Sequence, residues 1–209
     1  KKLEELTGMM IACAEQWADK FEKYAATGEA FNVLPEMTGL TLDVISKAIF
    51  STGVDDKADM VGKQITLLNE YLVEKISRPI RLPAAIPTPF NVKERKAMQM
   101  LYDLIDGIID ARRKEGISKD DLLSMLMDAR DEETGESMDN KQLRDELMTI
   151  FVAGNETSSN ALTWTLYLLS QNPEAAGKMI AEIDGKLDAG VVLSFNTVNE
   201  FHYVRQVIE

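Results

Sequence analysis

Leu143, Leu147, Met148, Phe151 and Val152 recur at intervals of three and four. After a short polar run, Leu162, Trp164, Leu166, Leu168 and Leu169 extend the apolar content up to Asn172-Pro173. That spacing keeps one face of a helix apolar. Asp139 stands at the N-cap position with Gln142 three residues on, and proline disfavours helical backbone in the residue before it. The pattern therefore predicts one helix over 139–172, long enough at 1.5 Å per residue to cross a domain. In its middle stands Ala153-Gly154-Asn155-Glu156-Thr157-Ser158-Ser159. Glycine inside a helix costs ~1 kcal/mol relative to alanine, and Asn, Thr and Ser offer the backbone competing hydrogen bonds. A buried helix has no structural need for such a run, so it is expected to kink the helix and to serve a function.

The rest of the chain reads as helices joined by mostly short connectors. Leu3, Leu6, Met10, Cys13, Trp17, Phe21 and Tyr24 define a first amphipathic helix. A second is expected over 35–52 with Gly53 at its end, and a third over 57–77 capped by Asp56. Residues 78–89 hold four of the six prolines and form a stiff non-helical connector. A fourth helix is expected over 92–114, capped by Asn91 with Glu94 in support, and a fifth over 119–130, begun by Ser118 with Asp121. Beyond Pro173 a helix runs to Asp188 and stops at Ala189-Gly190, and Ser194-Phe195-Asn196 opens a terminal helical segment. No stretch alternates as a strand. The fold class is mainly α, in one compact unit, and both termini read as cuts through helices.

Composition narrows the function. With 23 Lys and Arg against 35 Asp and Glu, the formal net charge is −12, and no basic patch interleaved with aromatics exists; nucleic acid is not an expected partner. Acidic residues such as Asp120, Asp121, Glu132 and Glu133 read as solvated helix faces. Cys13 is the only cysteine, so no internal disulfide can form, and a reducing compartment, the cytoplasm, is the expected location. No membrane-spanning run of about 20 apolar residues is visible. Asn155-Glu156-Thr157 matches a glycosylation triplet but falls in a helix expected to be buried. His202 is the sole histidine and has no companion at metal-ligand spacing, and Ser158 and Ser159 have no histidine base suitably placed for nucleophilic catalysis.

Phe151-Val152-Ala153-Gly154-Asn155-Glu156-Thr157-Ser158-Ser159, followed by Leu166-Tyr167-Leu168-Leu169 and Asn172-Pro173-Glu174, resembles the oxygen-activating helix of the cytochrome P450 superfamily, the haem-thiolate monooxygenases. There the usual pattern is Ala/Gly-Gly-x-Glu/Asp-Thr-Thr/Ser, a Leu-rich stretch and Asn-Pro. The closing segment, residues 201–209, resembles the run leading into that family's Glu-x-x-Arg helix. The order and lengths of the expected helices match the family's central D-to-K portion. The resemblance thus implies that residues 1–209 are the central helical part of a single P450-like domain, truncated at both ends, with the Glu-x-x-Arg pair and the cysteine loop beyond Glu209.

What the resemblance implies for single residues follows from the same motif. Thr157 matches the threonine beside bound dioxygen, where a hydroxyl that both donates and accepts can hold a water for proton delivery. Glu156, some 100° round the helix, would be the outer relay to solvent. Ala153, Gly154 and Thr157 would lie against haem b, and Ile150, Ala153 and Thr157 would face the substrate. Cys13 sits on an apolar face between Met10 and Trp17, a core position, so the axial thiolate is expected outside this chain and no metal ligand is assigned within it. Implied partners are O2, a small lipophilic substrate such as a fatty acid or terpenoid, and a flavoprotein or iron–sulfur electron donor.

Each residue also has a plainer reading. Thr157 can bond a carbonyl one turn back, Glu156 can pair with a neighbouring helix, and Ala153 and Gly154 can serve close helix packing. On that view the chain is a non-catalytic acidic helical module acting in binding or as a scaffold, or an inactive fragment.

Overall fold

The computed structural model describes residues 2–51, 58–77, 83, 86–116 and 118–209. The expected Gly53 stop, the Asp56 cap and most of the Pro-rich connector lie outside the described residues. Among the described residues the helices are α1 (Lys2–Thr27), α2 (Val33–Phe50), α3 (Ala58–Ser77), α4 (Pro89–Glu115), α5 (Leu122–Asp128), α6 (Asn140–Gln171), α7 (Pro173–Asp188) and α8 (His202–Ile208), with a 3-10 turn at Val198–Glu200. Among the described residues there is no strand. The chain forms two compact units, residues 45–154 and residues 1–44 with 155–209.

In the unit of residues 45–154, Ala97, Leu101, Ile105 and Ile109 repeat along α4 and are all buried, as are Val61 and Ile65 of α3 and Leu143, Leu147 and Phe151 of α6. α3 and α4 are joined at one end by the edge-on contact of Tyr71 with Phe90, ring centroids 4.7 Å apart, and by Lys75 and Glu94 at 2.9 Å. Arg144 of α6 reaches Asp106 of α4 at 3.0 Å and lies over the Tyr102 ring.

A buried ion pair organises the same unit. Arg112, near the end of α4, donates to both carboxylate oxygens of Asp121 at 2.8 and 2.7 Å, to the Ser124 hydroxyl at 2.7 Å and to the Phe50 carbonyl at 2.8 Å. Asp121 also accepts from the Ser51 hydroxyl and from the Ser124 backbone N–H. This corrects the reading of Asp121 as part of a solvated acidic face, for it is 1% exposed. Burial pushes its carboxyl up. The Arg112 guanidinium, the Ser124 N–H and the Ser51 and Ser124 hydroxyls outweigh that and hold it well below the usual carboxylate range.

Two helix starts differ from expectation. α4 begins at Pro89, whose fixed φ and missing N–H suit the first helical position, and Thr88 is the cap, accepting from the Asn91 N–H at 3.1 Å. Asn91, expected as the cap, is buried inside the first turn and donates its side chain to the carbonyls of Pro83 and Ile86, tying the connector to the helix. α5 begins after Asp121 rather than Ser118 because Asp121 is the side chain that accepts from the Ser124 N–H. The exit of α4 is a left-handed residue, Gly116 at φ 62°, a conformation that favours glycine.

In the other unit, α1 braces α2. Tyr24 donates to Glu36 at 3.0 Å, Lys20 pairs with the same carboxylate, and the Trp17 ring lies so close to Gly39 that any Cβ there would collide with it. α7 ends as read, with Gly190 at φ 80°. α8 has no side-chain cap of its own, and Glu182 of α7 supplies one by accepting from the N–H groups of Tyr203 and Val204 at 2.9–3.0 Å. Those N–H groups, Tyr203's first, hold the Glu182 carboxyl below its ordinary range.

Two predictions follow from these buried and capping carboxylates. Asp121→Asn leaves Arg112 buried without its counter-charge and is expected to cost about 3–5 kcal/mol in urea unfolding at neutral pH. Because the Asp121 pKa is depressed on folding, its contribution is present above the ordinary carboxylate pKa and is lost only as pH falls towards the lower folded value, where variant and parent should converge. For Glu182→Gln, amide hydrogen exchange at Tyr203 and Val204 should accelerate at neutral pH, with little change at the α6 amides. The parent should lose the same protection, taken relative to the intrinsic exchange rate at each pH, as acidification neutralises Glu182.

Candidate functional site on helix α6

The polar run does not end the helix: α6 is α-helical from Asn140 to Gln171. Its start is as read, the Asp139 carboxylate accepting from the Gln142 N–H at 2.7 Å. Hydroxyls along the helix turn back on its own carbonyls, Ser159 to Glu156 at 3.1 Å, Thr163 to Ser159 at 2.7 Å and Thr165 to Ala161 at 2.8 Å. These polar side chains are thereby satisfied without unwinding the backbone.

The run divides between two faces. Leu143, Leu147, Phe151, Asn155 and Ser159 recur at every fourth position and are buried, none more than 3% exposed. On a 3.6-residue helix such positions form one slowly drifting stripe. Its last two members are polar. Asn155 is 1% exposed and accepts the Thr41 hydroxyl of α2 at 2.6 Å on its side-chain oxygen, with the Asn155 carbonyl 3.3 Å from the same hydroxyl. An orphaned buried amide would cost about 1–3 kcal/mol, and Thr41 removes that cost. Thr41 was not singled out by the sequence reading, because the pair is 114 positions apart and no local pattern connects them.

On the opposite side Ala153, Thr157 and Asn160 are exposed and Ile150 is half-buried; Gly154 and Glu156, also half-buried, lie between the two faces, and Ser158 is exposed at the edge of the stripe. Ala153 and Thr157 are one helical turn apart and share a face. Gly154 is used inside the protein, since a Cβ there would come within 2.9 Å of the Ile45 Cδ1. The face beyond carries large exposed apolar groups, with Trp164 61%, Tyr167 54% and Leu168 54% exposed.

A family model described as Cytochrome P450 matches residues 1–209. The chain belongs to the cytochrome P450 family. It is 30% identical over 180 residues to the pentalenene oxygenase of Streptomyces avermitilis, covering 85% of this chain and 37% of that protein. It is 27% identical over 212 residues to a bifunctional cytochrome P450/NADPH–P450 reductase of Bacillus cereus, covering 100% of this chain and 20% of that one. The crystal structure of the cytochrome P450DA haem domain superposes with a TM-score of 0.82 at 28% identity, over 98% of this chain and 45% of that domain's chain. The chain thus spans less than half the length of these P450 relatives.

P450 membership implies haem, and the residues present suit one side of it. A flat macrocycle needs small side chains on the helix that crosses it, and Ala153 and Thr157 supply an exposed face with a methyl and a hydroxyl. Cys13 is 1% exposed on α1, and its thiol donates to the Met9 sulfur at 3.8 Å. His202 is exposed at the first residue of α8, and among the described residues no cluster of three or more His, Cys, Asp or Glu could hold a metal ion. No described helix is long and apolar enough to cross a membrane.

The division into faces makes a stability prediction. Phe151→Ala, on the buried stripe, should cost about 3–5 kcal/mol in urea unfolding. Ala153→Phe, on the exposed face, should change the stability of residues 1–209 without haem by no more than about 0.5 kcal/mol. A loss of several kcal/mol there would show that its methyl is packed within the chain and would remove it from the candidate face.

Proposed function

We propose that residues 1–209 are the central helical part of a single haem-thiolate monooxygenase domain, and that the whole protein activates O2 to hydroxylate a small lipophilic substrate. One observation supports this reading: Ala153 and Thr157, two of the residues that match the family's oxygen-activating motif, are exposed on one face of α6, while Asn155 and Ser159 are consumed in internal packing. Haem b, when bound, would supply the reductive activation of dioxygen, held by a cysteine from outside this chain.

In this proposal Ala153 and Thr157 contact haem, Gly154 sits between them in the same turn, and Ile150 joins Ala153 and Thr157 along the substrate. Thr157 accepts a proton from one side and donates one to the other, holding a water where protons are needed. Glu156, half-buried and one position away, points about 100° round the helix and carries protons between that water and solvent. Resemblance to a pentalenene oxygenase favours a terpenoid-like substrate over a fatty acid. Electrons come from a flavoprotein or iron–sulfur donor, and the relative joined to an NADPH–P450 reductase favours the flavoprotein. A lone cysteine and no disulfide fit a reducing cytoplasm.

The test is Thr157→Ala in the whole haem-loaded protein. Reductant consumption should continue while product per reductant falls by roughly tenfold, the difference appearing as hydrogen peroxide, in line with the usual worth of positioned proton transfer. An unchanged ratio would refute the role assigned to Thr157.

A further inference from the structure

We infer that Thr41 and Asn155 are positioning residues, a buried hydrogen-bonded pair that sets the rotation of α6 about its axis at Glu156 and Thr157. The inference rests on the monooxygenase reading of Thr157. Asn155 directly precedes Glu156, and its side chain points opposite to that of Thr157, two positions and about 200° away. Fixing one side therefore fixes the other.

Thr41 is itself held firmly. It belongs to α2, which α1 braces through Tyr24 and Lys20 on Glu36 and through the Trp17 ring on Gly39. A line of contacts thus runs from α1 through α2 to Asn155. The buried stripe of α6 explains why a hydrogen bond is used here. Leu143, Leu147 and Phe151 bury the helix without hydrogen bonds between their side chains, and the directional contact of Arg144 with Asp106 lies about three turns before Asn155. A hydroxyl to an amide oxygen at 2.6 Å tolerates little change in distance or angle. A roll of about 20° would carry a side-chain atom about 5 Å from the axis through nearly 2 Å. Errors of about 1 Å at a reacting group can cost a hundredfold in rate.

A purely structural pair would behave otherwise. Two apolar side chains of similar shape can fill the same space at almost no cost in stability, because neither leaves a buried partner orphaned. Thr41→Val with Asn155→Leu makes that replacement. In the whole haem-loaded protein this double variant is expected to keep its thermal midpoint within about 3 °C and its reduced carbon monoxide spectrum. Its product per reductant should nevertheless fall at least about threefold, with matching peroxide. Thr41→Ser, which retains the hydroxyl, should stay within about twofold of the parent. Should the double variant fail to load haem, Thr41→Val alone, which orphans the buried Asn155 amide and lowers the thermal midpoint accordingly, is compared by product per reductant and peroxide only, and unchanged coupling in it overturns the inference equally.

Thr157→Ala, measured alongside, separates the two levels of the account. If it uncouples turnover while the double variant remains as coupled as the parent, the pair is structural only and this inference is overturned. If Thr157→Ala itself stays coupled, the reading of Thr157 fails and the inference falls with it.

Discussion

A buried stripe at every fourth residue of α6, from Leu143 through Leu147 and Phe151 to Asn155 and Ser159, decides what the helix can offer to anything outside it. Once those five side chains are buried, helical geometry turns Ala153 and Thr157 the other way. The polar run that looks like a single anomaly in the sequence is therefore two things. Asn155 and Ser159 continue an internal stripe in polar form, and Ala153 and Thr157 form a small-residue face. The cost of a polar stripe is met locally, by the Thr41 hydroxyl and by the Glu156 carbonyl.

The same solution recurs at Arg112 and Asp121. Arg112 and Asp121 share four further partners, the Phe50 carbonyl, the Ser51 and Ser124 hydroxyls and the Ser124 N–H, so that the end of α2, the last turns of α4 and the start of α5 meet at one fully bonded centre. Such a centre adds less net stability than an apolar cluster of equal size, and it discriminates strongly against other arrangements of the three segments. Glu182 does the corresponding job for α8, a helix of seven residues that would be marginal by itself.

Features governed by neighbours in sequence were legible in it. The ends of α6 and α7 follow from Asp139, Asn172-Pro173 and Gly190, each acting within a few residues of its own backbone. Where two capping residues stood close together the reading chose wrongly, Asn91 over Thr88 and Ser118 over Asp121. Pro89 was the available signal for the first, since proline at the first helical position leaves Thr88 as the cap. For the second nothing local sufficed, because Asp121 is chosen by a guanidinium nine positions earlier and by the end of α2. The site was legible as a motif and illegible as a geometry. That Asn155 would turn inward depended on Thr41, and no periodicity in either helix announces the other.

The central claim is that the outward face of α6, marked by Ala153 and Thr157, lies against haem in the whole protein. Carbon-13 labelling of the alanine and threonine methyls allows this to be read without any turnover, by comparing the paramagnetic ferric protein with its diamagnetic ferrous carbon monoxide complex. The account predicts that the Ala153 and Thr157 methyl signals are strongly shifted or broadened in the ferric state and return to ordinary positions in the carbon monoxide complex, while the Thr41 methyl is affected far less. Sharp, unshifted Ala153 and Thr157 methyls in both states would contradict it.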